Sequence, residues 1–215
     1  MATMLMNNTR LFFIVLLSFL FLFGCNDEGI ESLSERSVIY CAEGSPETFN
    51  PQLVTSGTTI DATSNQLYDR LLTYQGKENT LTPTIAKSWH VTRNGKKITF
   101  YLRKDIPFHQ TEYFSPSRFL NADDVIFSFN RILDTEHPFH LVSGGSYPFF
   151  QNIGFHNLVE KIEKINDYTI RFHLSHADNS FLANLATDYA IILSAEYAEQ
   201  LTKQNAKGNI DTHPI

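Results

Sequence analysis

With 215 residues, 42% of them hydrophobic and 18 of them phenylalanine, the chain has enough apolar mass to bury a core, which excludes a disordered protein. Its 17 basic residues against 23 acidic ones leave a formal net charge of −6, and no basic run or aromatic-basic stripe interrupts the acidity, which excludes nucleic acid as a partner. An acidic surface suits cationic ligands weakly and serves solubility equally well.

The first element is a leader. Residues 11–24 are apolar except for Ser18, and Arg10 precedes them. At ~1.5 Å per residue such a helix reaches about 21 Å, short of the ~30 Å hydrocarbon core of a bilayer. The layout predicts a secretory signal peptide over residues 1–25. Leu22-Phe23-Gly24-Cys25 has the form of a lipobox, in which Cys25 would carry diacylglycerol and hold the mature chain to a membrane. Cleavage without lipid and an uncleaved anchor are the competing readings. Residues 26–36 are polar and read as a tether. Cys41 is then either a small buried strand residue or half of a disulfide completed beyond residue 215.

Residues 37–41 read as a strand and 43–56 as a loop holding Gly44, Pro46 and Pro51. Residues 59–72 predict a helix with Ile60, Leu67, Tyr68 and Leu71 inward. Asn94-Gly95 separates strands at 89–91 and 97–103, which predicts a hairpin closed by a type I′ turn with positive φ at both central residues. In the second strand Ile98, Phe100 and Leu102 alternate with Lys97, Thr99, Tyr101 and Arg103, so one face is apolar. Residues 121–134 predict the best helix: Asn121 caps it, Asp123 and Asp124 sit in its first turn, and Val125, Phe127, Phe129 and Ile132 form its apolar face. Residues 138–157 read as a long aromatic loop, 159–165 and 168–174 as a hairpin around Asn166-Asp167, and 180–185 and 195–201 as helices, with 203–213 irregular. No internal repeat is present.

Catalytic patterns are weak. Asp123 and Asp124 are neighbours on a helix, point about 100° apart and serve as caps rather than as an acid–base pair. The eight histidines are scattered; His137 and His140 flank Pro138, whereas zinc needs three or four convergent ligands, so neither a metal site nor a cofactor is expected. No nucleophile elbow and no phosphate-binding glycine loop occurs. The aromatic run from Tyr147 to Phe150 is either core or a ligand contact.

Several segments come in a fixed order. Pro83 to Trp89, Gly95, Thr99 to Arg103, Phe108-His109 and Ala122 to Ser128 form a block, preceded by Thr48-Phe49-Asn50-Pro51 and by Leu67 to Leu72, and followed by Asp167 to Leu174. This set resembles the family 5 extracellular solute-binding proteins, the receptors of peptide and nickel ABC importers. The resemblance implies a mixed α/β, periplasmic-binding-protein-like fold of class II, in the peptide-binding subfamily with an extra lobe. It assigns residues 37–70 to the first part of lobe I, 71–174 to lobe II and 175–215 to the return to lobe I. The family continues past a segment like Thr212-His213-Pro214-Ile215 with Gly-Thr-Gly-Pro-Tyr, so a fold incomplete at its C-terminus is expected. The apolar Ile39, Phe181, Leu182 and Ile192 would then be left exposed.

The implied function is non-catalytic. The chain would capture peptides in the periplasm by closing two lobes, and present them to ABC permease subunits in the inner membrane, held there by its N-terminal lipid. Residues 110–118 and 144–150 resemble the branch of the family that serves antimicrobial-peptide transport, which adds cationic peptides as a ligand class; haem is a further ligand the family raises. The implied ligand-binding loop is Glu43, Gly44, Ser45, Pro46, Glu47 and Thr48. Its exposed main chain can pair with an extended peptide, and Gly44 permits close approach. An ordinary lobe-connecting loop is the equal alternative. Two further readings stay open: a haem- or metal-binding or metal-dependent hydrolytic exported protein, and a remnant whose half cleft encloses no ligand.

Overall fold

The computed structural model describes residues 41–78 and 80–215. The signal peptide, Cys25, the tether and the strand expected at 37–41, save its last residue, lie outside the described residues. Cys41 is exposed and has no disulfide partner among them, which corrects the buried-thiol reading.

Two antiparallel sheets organise the chain. A small ribbon pairs β1 (Leu72–Gln75) with β2 (Thr80–Pro83). The main sheet holds β3 (Ala86–Val91), β4 (Lys97–Leu102), β5 (Val159–Asn166) and β6 (Thr169–Leu174) in the order β3-β4-β6-β5. Phe100 faces Trp89 on one side and Ile170 on the other, so the alternation read from the sequence sets the register of the sheet. Ile98, Phe100 and Leu102 are buried, while Tyr101 stays open to solvent.

The hairpin at Asn94-Gly95 forms, but not through the expected turn. Gly95 alone has positive φ, at +67°, and its N–H donates to Thr92 O at 2.8 Å. The Thr92 hydroxyl and the Asn94 side chain hold the rest of the turn, through Lys97 N–H to Thr92 Oγ1 at 3.1 Å and Lys96 N–H to Asn94 Oδ1 at 3.2 Å. With those side-chain bonds one left-handed residue suffices, and glycine takes it without steric cost. A Cβ at Gly95 would lie 2.7 Å from Ala177 Cβ.

The helix expected at 59–72 is shorter: α1 spans Gly57–Thr63. The chain then turns, Arg70 bridges Ile191, and Leu72 opens β1. Polar side chains explain the stop. Thr63 Oγ1 donates back to Thr59 O at 2.6 Å, Ser64 Oγ donates to Asp188 O at 2.9 Å, and Asn65 Oδ1 accepts from Arg70.

The Asn121-capped helix, α2 (Ala122–Leu133), is present as read. Asn121 Oδ1 accepts from Asp123 N–H at 2.8 Å, and Asp124 Oδ2 accepts from Asn121 N–H at 2.9 Å, a reciprocal capping pair. Asp124 does more than cap. Fully buried, it also takes both Arg118 Nη groups, at 2.7 and 2.9 Å, and Ala195 N–H at 2.8 Å. Asp123 points elsewhere, to Lys164 Nζ at 2.8 Å, so the two carboxylates diverge as helix geometry requires.

The aromatic stretch at 138–157 is not one loop. It contains α3 (Pro148–Asn152), with proline where its missing N–H costs nothing, and α4 (Phe155–Leu158). Tyr147, Phe150 and Phe155 are buried, so the core reading of this run holds for them. Phe129 on α2 meets the Phe172 ring edge-on at 5.5 Å and lies 5.8 Å from Phe155.

The chain ends in α5 (Phe181–Asn184), α6 (Ala195–Lys203) and a 3₁₀ turn at Lys207–Asp211. Phe181 and Ile192 were expected to be exposed; both are buried, and Leu182 packs against the core. Phe181 stacks with Phe155 at 6.3 Å and meets Phe172 at 5.3 Å, while Ile192 N–H donates to Asp69 O at 3.0 Å. These apolar groups find cover within the chain itself. No helix among the described residues is long and apolar enough to cross a membrane.

Candidate functional site

The loop read as ligand-contacting is open at one end and fixed at the other. Glu43, Gly44, Ser45, Pro46 and Glu47 are exposed, and Thr48 is half-buried. A Cβ at Gly44 would meet nothing within 4 Å, so its surroundings are open space. The fixed end begins at Glu47, whose N–H donates to Thr59 Oγ1 on α1 at 3.0 Å. Thr48 Oγ1 donates to Asp211 O at 3.2 Å and accepts from Asn50 N–H at 3.1 Å. Asn50 is fully buried; its Oδ1 accepts from Gln52 N–H at 2.9 Å and so caps the 3₁₀ turn Pro51–Leu53.

Asp211 is the hub behind this anchor. Its carboxylate accepts from Asn50 Nδ2 at 2.6 Å, from Ser143 Oγ at 2.7 Å, and from Arg131 Nη1 and Nη2 at 2.8 and 2.9 Å. Arg131 is wholly buried on α2. Burial works against its charge, but the hydrogen bonds and charge of Asp211 outweigh that and hold the guanidinium above its ordinary pKa. Arg131 Nε donates to Tyr147 Oη at 3.2 Å, and the Tyr147 hydroxyl donates to His140 O at 3.0 Å. One polar network thus joins the loop, α2, the 140–147 turns and the C-terminal 3₁₀ turn. A buried charge pair so fully hydrogen-bonded fixes register, because any displacement strands a charge.

Beside this hub opens a cleft of about 170 Å³, lined by Asn65, Gln66, Tyr68, Phe108, His109 and Ile192 among others. The Tyr68 hydroxyl is buried there and takes no hydrogen-bond partner among the described residues. Burial, with the nearby Asp211 charge, raises its pKa, so it stays protonated and can donate.

Among the described residues, groups suited to hydrolysis do not converge. Among the described residues no three His, Cys, Asp or Glu side chains come close enough to hold a metal ion. The hydroxyl–imidazole contacts Ser175–His176, at 3.0 Å, and Thr212–His213, at 2.9 Å, join chain neighbours on the exposed surface, the geometry of a turn. His173 Nε2 pairs with Glu163 at 2.7 Å, a bond that holds the Glu163 carboxyl below its usual range.

The sequence reading missed Arg131 and Asp211, which lie 80 residues apart along the chain. One signal was available: Arg131 falls on the same helical stripe as Phe127 and Ser128, so a cation sits on a buried face.

An antiparallel four-stranded sheet with α2 packed against β5 carries the fold, and the 43–48 loop is anchored to it at its inner end only. The chain belongs to the bacterial extracellular solute-binding proteins, family 5, whose model matches residues 80–215. It is 45% identical to the dipeptide-binding protein of Escherichia coli K12 over 184 residues, 86% of this chain and 34% of that protein. It is 42% identical to the peptide transport periplasmic protein SapA of Salmonella typhimurium, over 85% of this chain and 33% of that one. The fold matches the dipeptide-binding protein of Pseudoalteromonas sp. SM9913, solved with Met-Leu, with a TM-score of 0.80 and 46% identity over 81% of this chain and 34% of the other. The chain therefore spans about a third of the length of these relatives.

Proposed function

We propose that the chain forms part of a peptide receptor of an ABC importer, working in the periplasm and delivering short peptides to permease subunits in the inner membrane. The observation that carries this reading is the loop 43–48. Residues 43–47 are exposed, while Thr48 and Asn50 fix the inner end of the loop to a buried hub. Main-chain pairing recognises a peptide whatever its side chains, and an anchored loop forfeits little entropy when it pairs. The exposed carboxylates of Glu43 and Glu47 favour a free amino terminus or a cationic peptide, which supports the antimicrobial-peptide class as one ligand. The similarity to peptide-binding relatives supports the same reading. The division into lobe I, at 37–70 and 175–215, and lobe II, at 71–174, belongs to this proposal.

Titrating the protein with Met-Leu and following its amide NMR spectrum tests it. Shifts should concentrate at Gly44, Ser45 and Glu47, and acetylating the peptide amino group should weaken them. Absence of any shift in this loop at millimolar peptide would overturn the reading.

Membrane attachment through Cys25 is the second part of the proposal, motivated by Leu22-Phe23-Gly24-Cys25 at the end of the leader. A fatty-acid analogue fed to cells should label the protein, and Cys25→Ser should abolish the label. Label surviving that substitution would contradict the assignment.

A further inference from the structure

A second cavity is lined by the 140–147 turns, at a place the peptide reading leaves unused. Its volume is about 350 Å³, within the ~300–1,000 Å³ range of small-molecule sites. Ile132, Leu133, Tyr147 and Phe150 give it apolar walls, with Gln151 and His156 among its polar lining residues.

His140 sets the chemistry. It is 8% exposed, and its ring lies 5.4 Å from that of Tyr147. Its Nδ1 is 2.7 Å from Arg131 O. A carbonyl oxygen only accepts, so Nδ1 carries the proton, and in the neutral ring Nε2 is left as a bare acceptor. Among the described residues Nε2 takes no hydrogen bond. Gly145 keeps it accessible: a Cβ there would stand 3.2 Å from Nε2 and 2.7 Å from Leu141 Cδ2, and the glycine is held at φ +70°. The ring is thus fixed on one edge by the backbone, and its other edge lies beside Gly145, which lines the cavity with it. A metal is disfavoured, since no third ligand converges with the histidines.

We propose that this cavity is a binding site for a small molecule carrying one hydrogen-bond donor, which the Nε2 lone pair of His140 receives. The inference is independent of the peptide reading, because it uses neither the 43–48 loop nor the Tyr68 cleft.

Phenol is the probe and anisole, which lacks the donor, its control. In an NMR titration phenol should shift the Gly145 and Gln151 amides, and anisole should bind about tenfold more weakly, the factor expected for one hydrogen bond of ~1.4 kcal/mol. His140→Asn keeps a side-chain N–H for Arg131 O but removes the Nε2 acceptor, and should bring phenol down to the level of anisole. In the parent protein, the Nε2 nitrogen resonance of His140 should move on adding phenol, a readout that needs no variant. Equal binding of the two probes, an unmoved Nε2 resonance, or unchanged phenol binding by His140→Asn would each overturn the proposal.

Discussion

Replacing Asp211 by alanine should lower the unfolding free energy by about 3–5 kcal/mol, a large share of the ~5–15 kcal/mol that holds a domain together. Arg131 would keep its charge at a site with no exposure and lose both of its carboxylate bonds. Asn50 and Ser143 would lose acceptors in the same step. The pair itself need not be worth that much. Arg131→Met combined with Asp211→Leu removes both charges and fills the volume, so the double variant should recover most of the loss. Urea unfolding of the parent, Arg131→Met, Asp211→Leu and the double variant closes the cycle, with Asp211→Ala measured beside them. A cost below about 1 kcal/mol for Asp211→Ala would mean that water or a neighbour replaces the carboxylate, and that the hub does not fix the loop.

Asp124→Ala should have the next largest effect, about 2–4 kcal/mol, from losing a helix cap and several charge-assisted bonds at one buried atom pair. Arg118 would survive the change better than Arg131 does in the other experiment, because its side chain is 30% exposed and can turn to water. The Asp124 hydrogen bond is also the main reason the Arg118 guanidinium is held above its ordinary pKa. Asp123→Ala, next door on the same helix, breaks only exposed pairs to Lys164 and should cost less than about 1 kcal/mol. Thermal unfolding of the two variants separates these roles; equal effects would show that burial of Asp124 contributes nothing special.

That contrast shows what the sequence made legible. Adjacent carboxylates at a helix start identify a cap, and helix geometry tells that they diverge, but nothing local tells which of them is buried. Burial of Asp124 depends on Arg118, in the segment that leads into the helix, and on Ala195 N–H, which the packing of α6 brings. The sheet was legible for the opposite reason. The two-residue period and the short turns at Asn94-Gly95 and Asn166-Asp167 set β3 against β4 and β5 against β6, whereas the long-range pairing of β4 with β6 has no such local sign. The turn at Asn94-Gly95 was misjudged because Thr92 and Asn94 side chains changed its type. The helix at 59–72 was overextended because its apolar spacing hid the Thr63-Ser64-Asn65 breaker. At the candidate site, the exposed end of the loop was visible in its Gly-Ser-Pro composition, whereas its anchor was not. Asn50 and Asp211 are 161 residues apart, and pairing over that distance leaves no periodic trace.

The measurement that bears most directly on the central claim is photo-crosslinking. A Met-Leu analogue whose leucine carries a diazirine, irradiated with the protein and followed by peptide mapping, reports where a bound peptide lies. Insertion into residues 43–48, reduced by unlabelled Met-Leu, is the predicted result. Insertion confined to residues 132–156, or no insertion that Met-Leu competes away, would contradict the assignment of that loop to peptide capture.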